Sequence, residues 1–193
     1  MIRIATEADV PAILDLYAPY ILNSTATFSY DVPCQRSFLQ YFYEITAQFP
    51  WLVWEENGEI LGYAYASRPY ERTACAWCAE PSVYIKPSAH RRGIATRLYA
   101  ALETILKEQG YQVLYALITE ENTPSLRLHE RLGYRHRVTF PDIGFKFGRW
   151  LGLVWMEKRL ISVEIPNAFP TPFSQYCQDV QRICDILDNL SLS

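Results

Sequence analysis

The stretch from residue 82 to residue 119 constrains the fold more than any other part of the chain. The sequence here predicts a strand that ends before Pro87, a helix over residues 92–109, and a buried strand over QVLYALIT. Gly110 stops the helix, as glycine often does just past the last helical turn. Apolar residues fall on one stripe of the helix at Ile94, Leu98, Leu102 and Ile105. A strand, a crossover helix and a second strand form a βαβ unit, so the sequence predicts an α/β fold.

The remaining elements predict a mixed sheet that is largely antiparallel and flanked by helices. The run WLVWEENGEILGYAYASR places two apolar segments around Asn57–Gly58, the pair that a type I′ hairpin turn favours. The full order is β-α-α-β-β-β-α-β-α-β-β, with the last strands near residues 135–140 and 151–159. Pro81 lies inside the strand before the βαβ helix, and its missing N–H predicts a bulge or a break in pairing there.

These elements occupy residues 1–160, which we predict to be one domain. Residues 161–193 contain three prolines and then apolar residues at helical spacing. This pattern predicts a C-terminal extension, made of a linker and one short amphipathic helix, that packs on the domain or on a partner.

The composition is that of a globular protein and argues against several classes of function. Half of the 193 residues are hydrophobic and the net charge is −3, which disfavours nucleic acid or an anionic membrane as a partner. No apolar run approaches the ~20 residues of a membrane span. The opening MIRIATEADV lacks the apolar stretch of a signal peptide, so we expect a cytoplasmic protein.

The five cysteines are an odd number, and we expect them to be reduced thiols. Cys75 and Cys78 form a C-x-x-C pair, but a zinc site would need a second ligand pair at comparable spacing. The two later cysteines, Cys177 and Cys184, are seven residues apart. We therefore expect no metal.

The turn SAHRRGI leads into the βαβ helix and carries the first chemical signal. A helix N-terminus presents unpaired N–H groups and the positive end of the helix dipole, so it attracts anions. Gly93 leaves the backbone open to an anion, and Arg91 and Arg92 can add charge-assisted contacts. By itself the cluster fits two interpretations, a solvated helix start or an anion site.

Two motifs together resemble the GNAT superfamily of N-acetyltransferases. HRRGIA resembles the motif Q/R-x-x-G-x-G/A, with His90 in the Gln/Arg position and Ala95 in the last small one. Further along, NTPSLRLHERLGY resembles N-x-x-A-x-x-L-Y-x-K-x-G-F. The resemblance covers residues 1–160. It implies the GNAT fold, in which strands splay apart at the acetyl-CoA site.

Longer stretches resemble the phosphinothricin acetyltransferase group, whose members acetylate the α-amine of phosphinothricin, methionine sulfone or methionine sulfoximine. These stretches are RPYERTACAWCAEPSVYIKPSAHRRGIA, RLHERLGY and GFKFGRWLGLVW. The resemblance implies an acyltransferase that moves acetyl directly from acetyl-CoA to a small-molecule amine. It also implies a homodimer, since the group is commonly dimeric. Some members carry histidine where this chain has Phe147, so any role of that histidine is not carried over.

The resemblance also implies roles for single residues. Glu80 matches the general base that takes a proton from the acceptor ammonium, although a lone glutamate is more often an ordinary edge-strand carboxylate. His129 occupies the place of the superfamily's tyrosine acid, and the alternative is a histidine on a half-buried helix face. The residues matching the acetyl-CoA contacts are Val83, Tyr84, Ile85, Arg91, Arg92, Gly93, Ile94, Ala95, Thr96, Asn122 and Ser125.

The acceptor pocket is expected from the loop after the first helix and from the segment before Glu80. Its candidate residues are Phe28, Tyr30, Arg72, Thr73, Ala74 and Cys75. Arg72 could pair with an acceptor carboxylate through two parallel hydrogen bonds, but each candidate could equally be a surface-loop residue. Two other functions stay open: acetylation of a protein N-terminus or another amine, and a catalytically silent acyl-CoA-binding regulatory domain.

Overall fold

The computed structural model describes residues 1–162 and 165–191 of the chain. The strands in this part are β1 (Ile2–Ile4), β2 (Trp51–Glu56), β3 (Glu59–Ser67), β4 (Cys78–Ile85), β5 (Val113–Thr119), β6 (Arg135–Lys146) and β7 (Arg149–Arg159). The helices are α1 (Val10–Asn23), α2 (Gln35–Gln48), α3 (Ile94–Gln109), α4 (Thr123–Arg131), α5 (Phe173–Tyr176) and α6 (Val180–Ser191).

One sheet runs through the molecule in the order β1-β2-β3-β4-β5-β7-β6. β4 and β5 are parallel, and α3 connects them as the predicted βαβ unit. The other neighbouring strands pair antiparallel. The predicted α/β class, with a mixed and mostly antiparallel sheet flanked by helices, is therefore confirmed.

The parallel pair at the centre of the sheet separates soon after it forms. β4 pairs with β5 only through Cys78 and Ala79. On its other side, β4 stays in register with β3 as far as Ile85, with Pro81 opposite Ala66. The break predicted near Pro81 is therefore present, and it lies on the β5 side alone. The two strands diverge beyond it and leave a gap in the sheet.

Different helices cover the two faces of the sheet near this gap. On one face, the Tyr84 ring meets Tyr17 of α1 at 4.8 Å between centroids. On the other face, a Cβ added at Gly62 would lie 3.5 Å from Ile94 of α3. The residues of β3 on that second face are small: Gly62, Ala64 and Ala66. Since they project little, α3 lies close to the sheet and brings its N-terminus to the gap.

The two hairpins differ in how well the sequence predicts them. The Asn57–Gly58 turn has positive φ at both residues, 51° and 78°, as a type I′ turn requires. The second hairpin is longer than predicted, because β6 continues to Lys146 and β7 begins at Arg149. Its turn has the same dihedral pattern at Phe147–Gly148. Phenylalanine rarely adopts positive φ, so sequence patterns did not identify this turn.

The described part of the segment after residue 160 packs against helices on both faces of the sheet. α6 packs against α3 and β1, and α5 packs against α2. Phe173 is 3% exposed, and three residues of α6 join the same apolar core: Ile183, Ile186 and Leu187. The Arg182 guanidinium bonds both carboxylate oxygens of Glu108 on α3. In the described part of the chain, this segment therefore packs on the sheet and helices of residues 1–160.

Candidate active site

A cleft of about 790 Å³ opens where β4 and β5 separate. Its walls come from residues 81–85 of β4, the start of α3, residues 116–118 of β5, and α4. Because β4 has no strand partner on the β5 side beyond Ala79, its backbone there is open to a ligand in the cleft, except at the Pro81 and Ile85 carbonyls, which contact the Tyr99 and Tyr20 hydroxyls.

The loop before α3 forms one end of the cleft with a backbone conformation suited to an anion. Arg91 has φ +61° and Gly93 has φ +77°, so both lie in the left-handed region. The backbone N–H groups of the first turn of α3 follow directly, at Ile94, Ala95 and Thr96. An anion placed here would meet those N–H groups and the positive end of the α3 dipole.

The structure brings most of the predicted coenzyme-binding residues to this cleft. Those that line it are Val83, Tyr84, Ile85, Arg91, Gly93, Ile94, Ala95, Thr96, Asn122 and Ser125. Arg92 lies elsewhere: its guanidinium bonds both carboxylate oxygens of Glu56 at 2.7 and 2.8 Å, at the β2–β3 hairpin. Of the two adjacent arginines, Arg91 is the one beside the cleft.

His90, which occupies the Gln/Arg position of the motif, has a structural role at the same loop. Its Nε2 lies 3.0 Å from the Ile85 carbonyl oxygen and 3.2 Å from the Tyr20 hydroxyl. The Tyr20 hydroxyl donates to the same carbonyl at 2.5 Å. These contacts tie the end of β4 to α1 and to the loop that starts α3.

α4 supplies a fixed side wall of the cleft. The Asn122 side chain caps the helix by accepting from the Ser125 N–H at 3.3 Å, as the sequence predicts. The Ser125 carbonyl lies 2.8 Å from Nδ1 of His129. Since a carbonyl only accepts, Nδ1 carries the proton. The imidazole is therefore held in one tautomer, with the Nε2 lone pair directed away from α4.

The hydroxyl of Tyr99, on α3, lies within hydrogen-bond distance of this Nε2 lone pair. It lies 2.8 Å from Nε2 of His129 and 3.3 Å from the Pro81 carbonyl. Both side chains are buried, at 1% and 3% exposure, and both line the cleft. Burial lowers the pKa of His129, and the bond to the Ser125 carbonyl opposes that shift only in part. His129 is therefore neutral at pH 7, and the Tyr99 hydroxyl donates to it.

Glu80 stands at the point where β4 leaves β5. Its side chain is half-buried and forms no hydrogen bond or ion pair with the residues that the structure describes. Burial raises the pKa of Glu80 to about 7. A carboxylate without a partner and with a pKa near neutrality can accept a proton and release it again at physiological pH.

The predicted acceptor residues are not gathered in one place. Phe28 packs on β6, where a Cβ at Gly144 would lie 2.6 Å from its ring. The exposed Tyr30 donates a hydrogen bond to the Phe145 carbonyl. The segment before Glu80 forms a 3₁₀ turn at Thr73–Cys75. The residues of this segment lie outside the lining of the cleft, with Arg72, Thr73 and Ala74 exposed and Cys75 half-buried.

A second cavity, of about 350 Å³, lies on the α1–α2 face of the sheet. We call it the aromatic pocket and define it by its lining residues: Tyr17, Ser29, Asp31, Pro33, Ser37, Phe38, Tyr41, Trp51, Tyr63 and Tyr65. Two of these, Ser29 and Asp31, flank Tyr30 in the predicted acceptor loop. The predicted acceptor loop therefore lines the aromatic pocket through its polar residues Ser29 and Asp31, whereas the predicted residues Phe28 and Tyr30 do not line it.

Sequence reasoning missed three features of the site. Tyr99 follows directly after Leu98 in the apolar stripe of α3, and nothing in that pattern separates it from a core residue. The aromatic pocket combines residues that are distant in sequence. Lys146 is 3% exposed. Its ammonium donates to the Ile21 carbonyl in the last turn of α1 and to the Ser24 and Thr27 carbonyls in the loop that follows, at 2.8 to 2.9 Å. The β6–β7 hairpin therefore holds the acceptor loop in place.

Two further features bear on the kind of site. Within residues 1–162 and 165–191, no cluster of three or more His, Cys, Asp or Glu side chains could hold a metal ion. Among the described helices, none is both long and apolar enough to cross a membrane.

A seven-stranded sheet that splays between parallel central strands, with a helix start suited to an anion at the gap, is the arrangement that the sequence resemblance implies for an acetyl-CoA-binding fold. Residues 14–134 match the model of the Acetyltransferase (GNAT) family. The chain belongs to this family.

Relatives and solved structures place the chain more narrowly. It is 36% identical over 149 residues to phosphinothricin N-acetyltransferase from Streptomyces viridochromogenes, covering 77% of this chain and 81% of that protein. It is 32% identical to an L-methionine sulfoximine/L-methionine sulfone acetyltransferase from Salmonella typhimurium, covering 86% and 98%. A GNAT superfamily phosphinothricin acetyltransferase from Sinorhizobium meliloti, solved in complex with acetyl-CoA, is similar in structure. Its TM-score is 0.85 at 31% identity, covering 90% of this chain and 96% of that one.

Proposed function

We propose that the protein transfers the acetyl group of acetyl-CoA to the α-amine of a small amino-acid-like acceptor, of the phosphinothricin, methionine sulfone or methionine sulfoximine type. Family membership supports the reaction class, and the names of the relatives support the acceptor type. The observation that carries the mechanism is Glu80, a half-buried carboxylate without a partner among the described residues, at the point where the sheet opens.

The cleft fits acetyl-CoA in its backbone geometry. The α3 N-terminus, with Gly93 and Arg91, would receive the pyrophosphate. The free edge of β4 over residues 81–85 would bond the amide-containing arm. Asn122 and Ser125 would contact that arm from α4. Acetyl-CoA supplies the activated thioester, and the protein binds it, orients it and manages the protons.

In this proposal Glu80 acts as the general base for direct attack. It takes one proton from the acceptor ammonium, and the freed amine forms the new C–N bond as the C–S bond to coenzyme A breaks. The second proton, which the nitrogen loses as it becomes an amide, goes to the departing thiolate, so that coenzyme A leaves as the free thiol. The pKa of about 7 suits this step, because the carboxylate is largely ionised at pH 8 while the acceptor amine is still protonated. The same carboxylate then releases its proton to water.

The departing thiolate needs a hydrogen-bond donor, and we propose that Tyr99 and His129 supply it together. Neutral His129 has its Nδ1 proton bonded to the Ser125 carbonyl, so it has no second proton to give. The Tyr99 hydroxyl lines the cleft and is held by Nε2 of His129 at 2.8 Å. A hydroxyl has one proton, so in this proposal the Tyr99 O–H turns from Nε2 of His129 to the sulfur as the thiolate forms, and His129 is the residue that positions it beforehand.

The proposal is tested by measuring free thiol and acetylated product with a panel of acceptors. We expect thiol release with methionine sulfone, methionine sulfoximine or phosphinothricin, and mass spectrometry should locate the acetyl group on the α-nitrogen. Product formed only with a peptide that has a free N-terminus would support a protein N-terminal acetyltransferase instead. Coenzyme binding without product from any amine would support a catalytically silent domain.

We also propose that the protein is a homodimer that forms through the β6–β7 hairpin. β6 is an edge strand, and large apolar side chains near the turn are exposed: Ile143, Phe145, Phe147 and Trp150. A long apolar edge is a surface that proteins normally cover. Because Lys146 and Tyr30 link this hairpin to the acceptor loop, a second copy here would also buttress that loop. Light scattering of Trp150→Asp should show a monomer if the proposal holds.

A further inference from the structure

The strand β4 changes its partner at Glu80. On the β5 side it pairs through Cys78 and Ala79. On the β3 side it pairs from Glu80, opposite Ser67, as far as Ile85. Glu80 is therefore the first residue of one ladder and directly follows the last pair of the other. Its position depends on how both ladders are held.

The ladder between β4 and β5 is short, and Trp77 extends it by one residue. The Trp77 carbonyl accepts from the backbone N–H of Gln112 at 2.9 Å and from that of Val113 at 3.3 Å. Just before Trp77, the hydrogen bonds of the 3₁₀ turn are local, such as that from the Ala76 N–H to the Thr73 carbonyl. Trp77 is therefore the point at which the chain that enters β4 is joined to β5.

The C-terminal segment contacts Trp77 directly. The indole N–H donates to the Ala168 carbonyl at 3.0 Å. The indole ring stacks on Phe169, with 5.0 Å between the centroids and 17° between the planes. Phe169 itself is 61% exposed, so its ring covers Trp77 from the outside. An aromatic pair and a hydrogen bond together hold the half-buried Trp77 side chain against this segment.

The same segment also contacts the chain that enters β5. The Thr171 N–H donates to the Gln109 carbonyl at 2.7 Å, and the Gln109 side-chain amide donates to the Thr171 carbonyl at 2.8 Å. A Cβ added at Gly110 would lie 3.6 Å from the Cα of Pro170. We call residues 168–171 the strap. The strap bridges the two chains that enter β4 and β5, at the end of their ladder opposite to the gap.

From these contacts we propose that the strap positions Glu80 through Trp77, which makes Trp77 a positioning residue for acetyl transfer. This rests on the proposed function, in which Glu80 takes a proton from the acceptor. A general base must lie within hydrogen-bond reach of that proton, and a displacement of about 1 Å is enough to slow a reaction strongly. By fixing the start of the β4–β5 ladder, the strap fixes the point at which Glu80 leaves it.

Phe169→Ala tests the strap, because it removes the ring that stacks on Trp77 from an exposed position. We expect kcat to fall by about fivefold, of the order of one aromatic pair. KM for acetyl-CoA should not change, because Trp77 and the strap lie outside the lining of the cleft. Phe169→Tyr keeps the ring and should retain the wild-type kcat. Thermal unfolding would show that both variants are folded.

The thiols on either side of Trp77 report its position without any need for activity. Cys75 and Cys78 are free and half-buried. Alkylation by iodoacetamide, followed by mass spectrometry of each peptide, should be about fivefold faster at these two thiols in Phe169→Ala, since loss of the aromatic pair loosens the turn. The exposed Cys34 is the internal reference and should react at an unchanged rate.

Tyr176→Phe is the matched control in the same C-terminal segment. Tyr176 bonds Glu108 of α3 and stacks on Phe173, at a distance along the chain from the strap. This variant should change neither kcat nor the alkylation rates of Cys75 and Cys78. Equal losses of kcat in Tyr176→Phe and Phe169→Ala would overturn the assignment to the strap.

The two measurements separate this proposal from the proposed function. Faster alkylation in Phe169→Ala with an unchanged kcat would overturn the positioning of Glu80. Unchanged alkylation would show that the strap does not hold Trp77. If the wild type releases no thiol with any acceptor, the proposed function is wrong, and the alkylation rates then decide by themselves whether the strap holds Trp77.

Discussion

The proposed coenzyme cleft and the aromatic pocket are both lined by strands of the same sheet, but the chain builds them in different ways. The cleft uses backbone groups from two nearly continuous stretches, residues 81–96 and 122–132, together with part of β5. The pocket uses side chains from α1, α2, β2, β3 and the loop after α1. The comparison indicates that local sequence can specify a cleft lined by two short stretches of chain, whereas the aromatic pocket exists only once distant elements have packed. The following experiments test that contrast, beginning with the largest expected effect.

Glu80→Gln removes the carboxylate at the point where β4 leaves β5. We expect kcat/KM to fall by about 1,000-fold near pH 8, within the range for loss of a general base. The deficit should shrink above the pKa of the acceptor amine, because the amine then loses its proton unaided. In the wild type, the rate should decline below the Glu80 pKa of about 7. Coenzyme affinity should not change, and Glu59→Gln serves as an exposed carboxylate control. A full-rate mutant would remove Glu80 from the mechanism.

Glu80→Gln should also change how the stability of the folded protein depends on pH. Because the folded protein raises the pKa of Glu80, it binds the proton more tightly than the unfolded chain. Stability therefore decreases as pH rises from the ordinary glutamate value toward 7 and stays lower above it. Glutamine does not ionise, so the unfolding temperature of Glu80→Gln at pH 8 should exceed that of the wild type. A lower value would show that the side chain has a structural role.

Phe173→Ala tests how far the locally built cleft depends on the C-terminal segment. Phe173 is buried in the common core, so its truncation should lower the free energy of unfolding by about 3 to 5 kcal/mol, measured by urea denaturation. Coenzyme affinity of the folded protein should stay close to that of the wild type. A large loss of affinity with little loss of stability would mean that the segment shapes the cleft directly.

Tyr99→Phe separates the donor to the thiolate from the residue that positions it. Loss of the hydroxyl should lower kcat by about tenfold, of the order of one hydrogen bond, with KM for acetyl-CoA nearly unchanged. His129→Ala should cause a similar loss, and the double variant should add little, because both changes disable one unit. Additive losses would indicate that the two residues act separately.

Arg91→Ala and Arg92→Ala compare two neighbouring arginines in different settings. Arg91 lines the cleft, whereas Arg92 is paired with Glu56. Arg91→Ala should raise the Kd of coenzyme A by about fivefold at low salt, and added salt should reduce the difference. Arg92→Ala should change the Kd by less than about twofold, because the ion pair that it breaks is largely exposed. Equal increases in the Kd of coenzyme A would show that Arg91 contributes no more to coenzyme binding than Arg92 does.

Much of the fold could be predicted because its signals are local. The Asn57–Gly58 turn, the Asn122 cap and the stop at Gly110 each depend on a few adjacent residues. The Phe147–Gly148 turn was missed, since its positive φ is held by the pairing of β6 with β7 rather than by residue preference. Arg72 was assigned to the acceptor by its place before Glu80 and stays a prediction; the structure places it, exposed, at the start of a 3₁₀ turn and outside the lining of both cavities.

The sequence by itself determined the βαβ unit, the break beside Pro81 and, to within two residues, the start of α3, because hydrophobic period and backbone chemistry act between near neighbours. Tertiary structure alone decided the partners of the chemical groups. It placed Tyr99 against His129 across two helices, paired Arg92 with Glu56, and left the Trp51 indole without a partner in the described chain. Such contacts depend on how whole helices and strands pack against each other. No local sequence pattern encodes the distance between two side chains that lie on different elements.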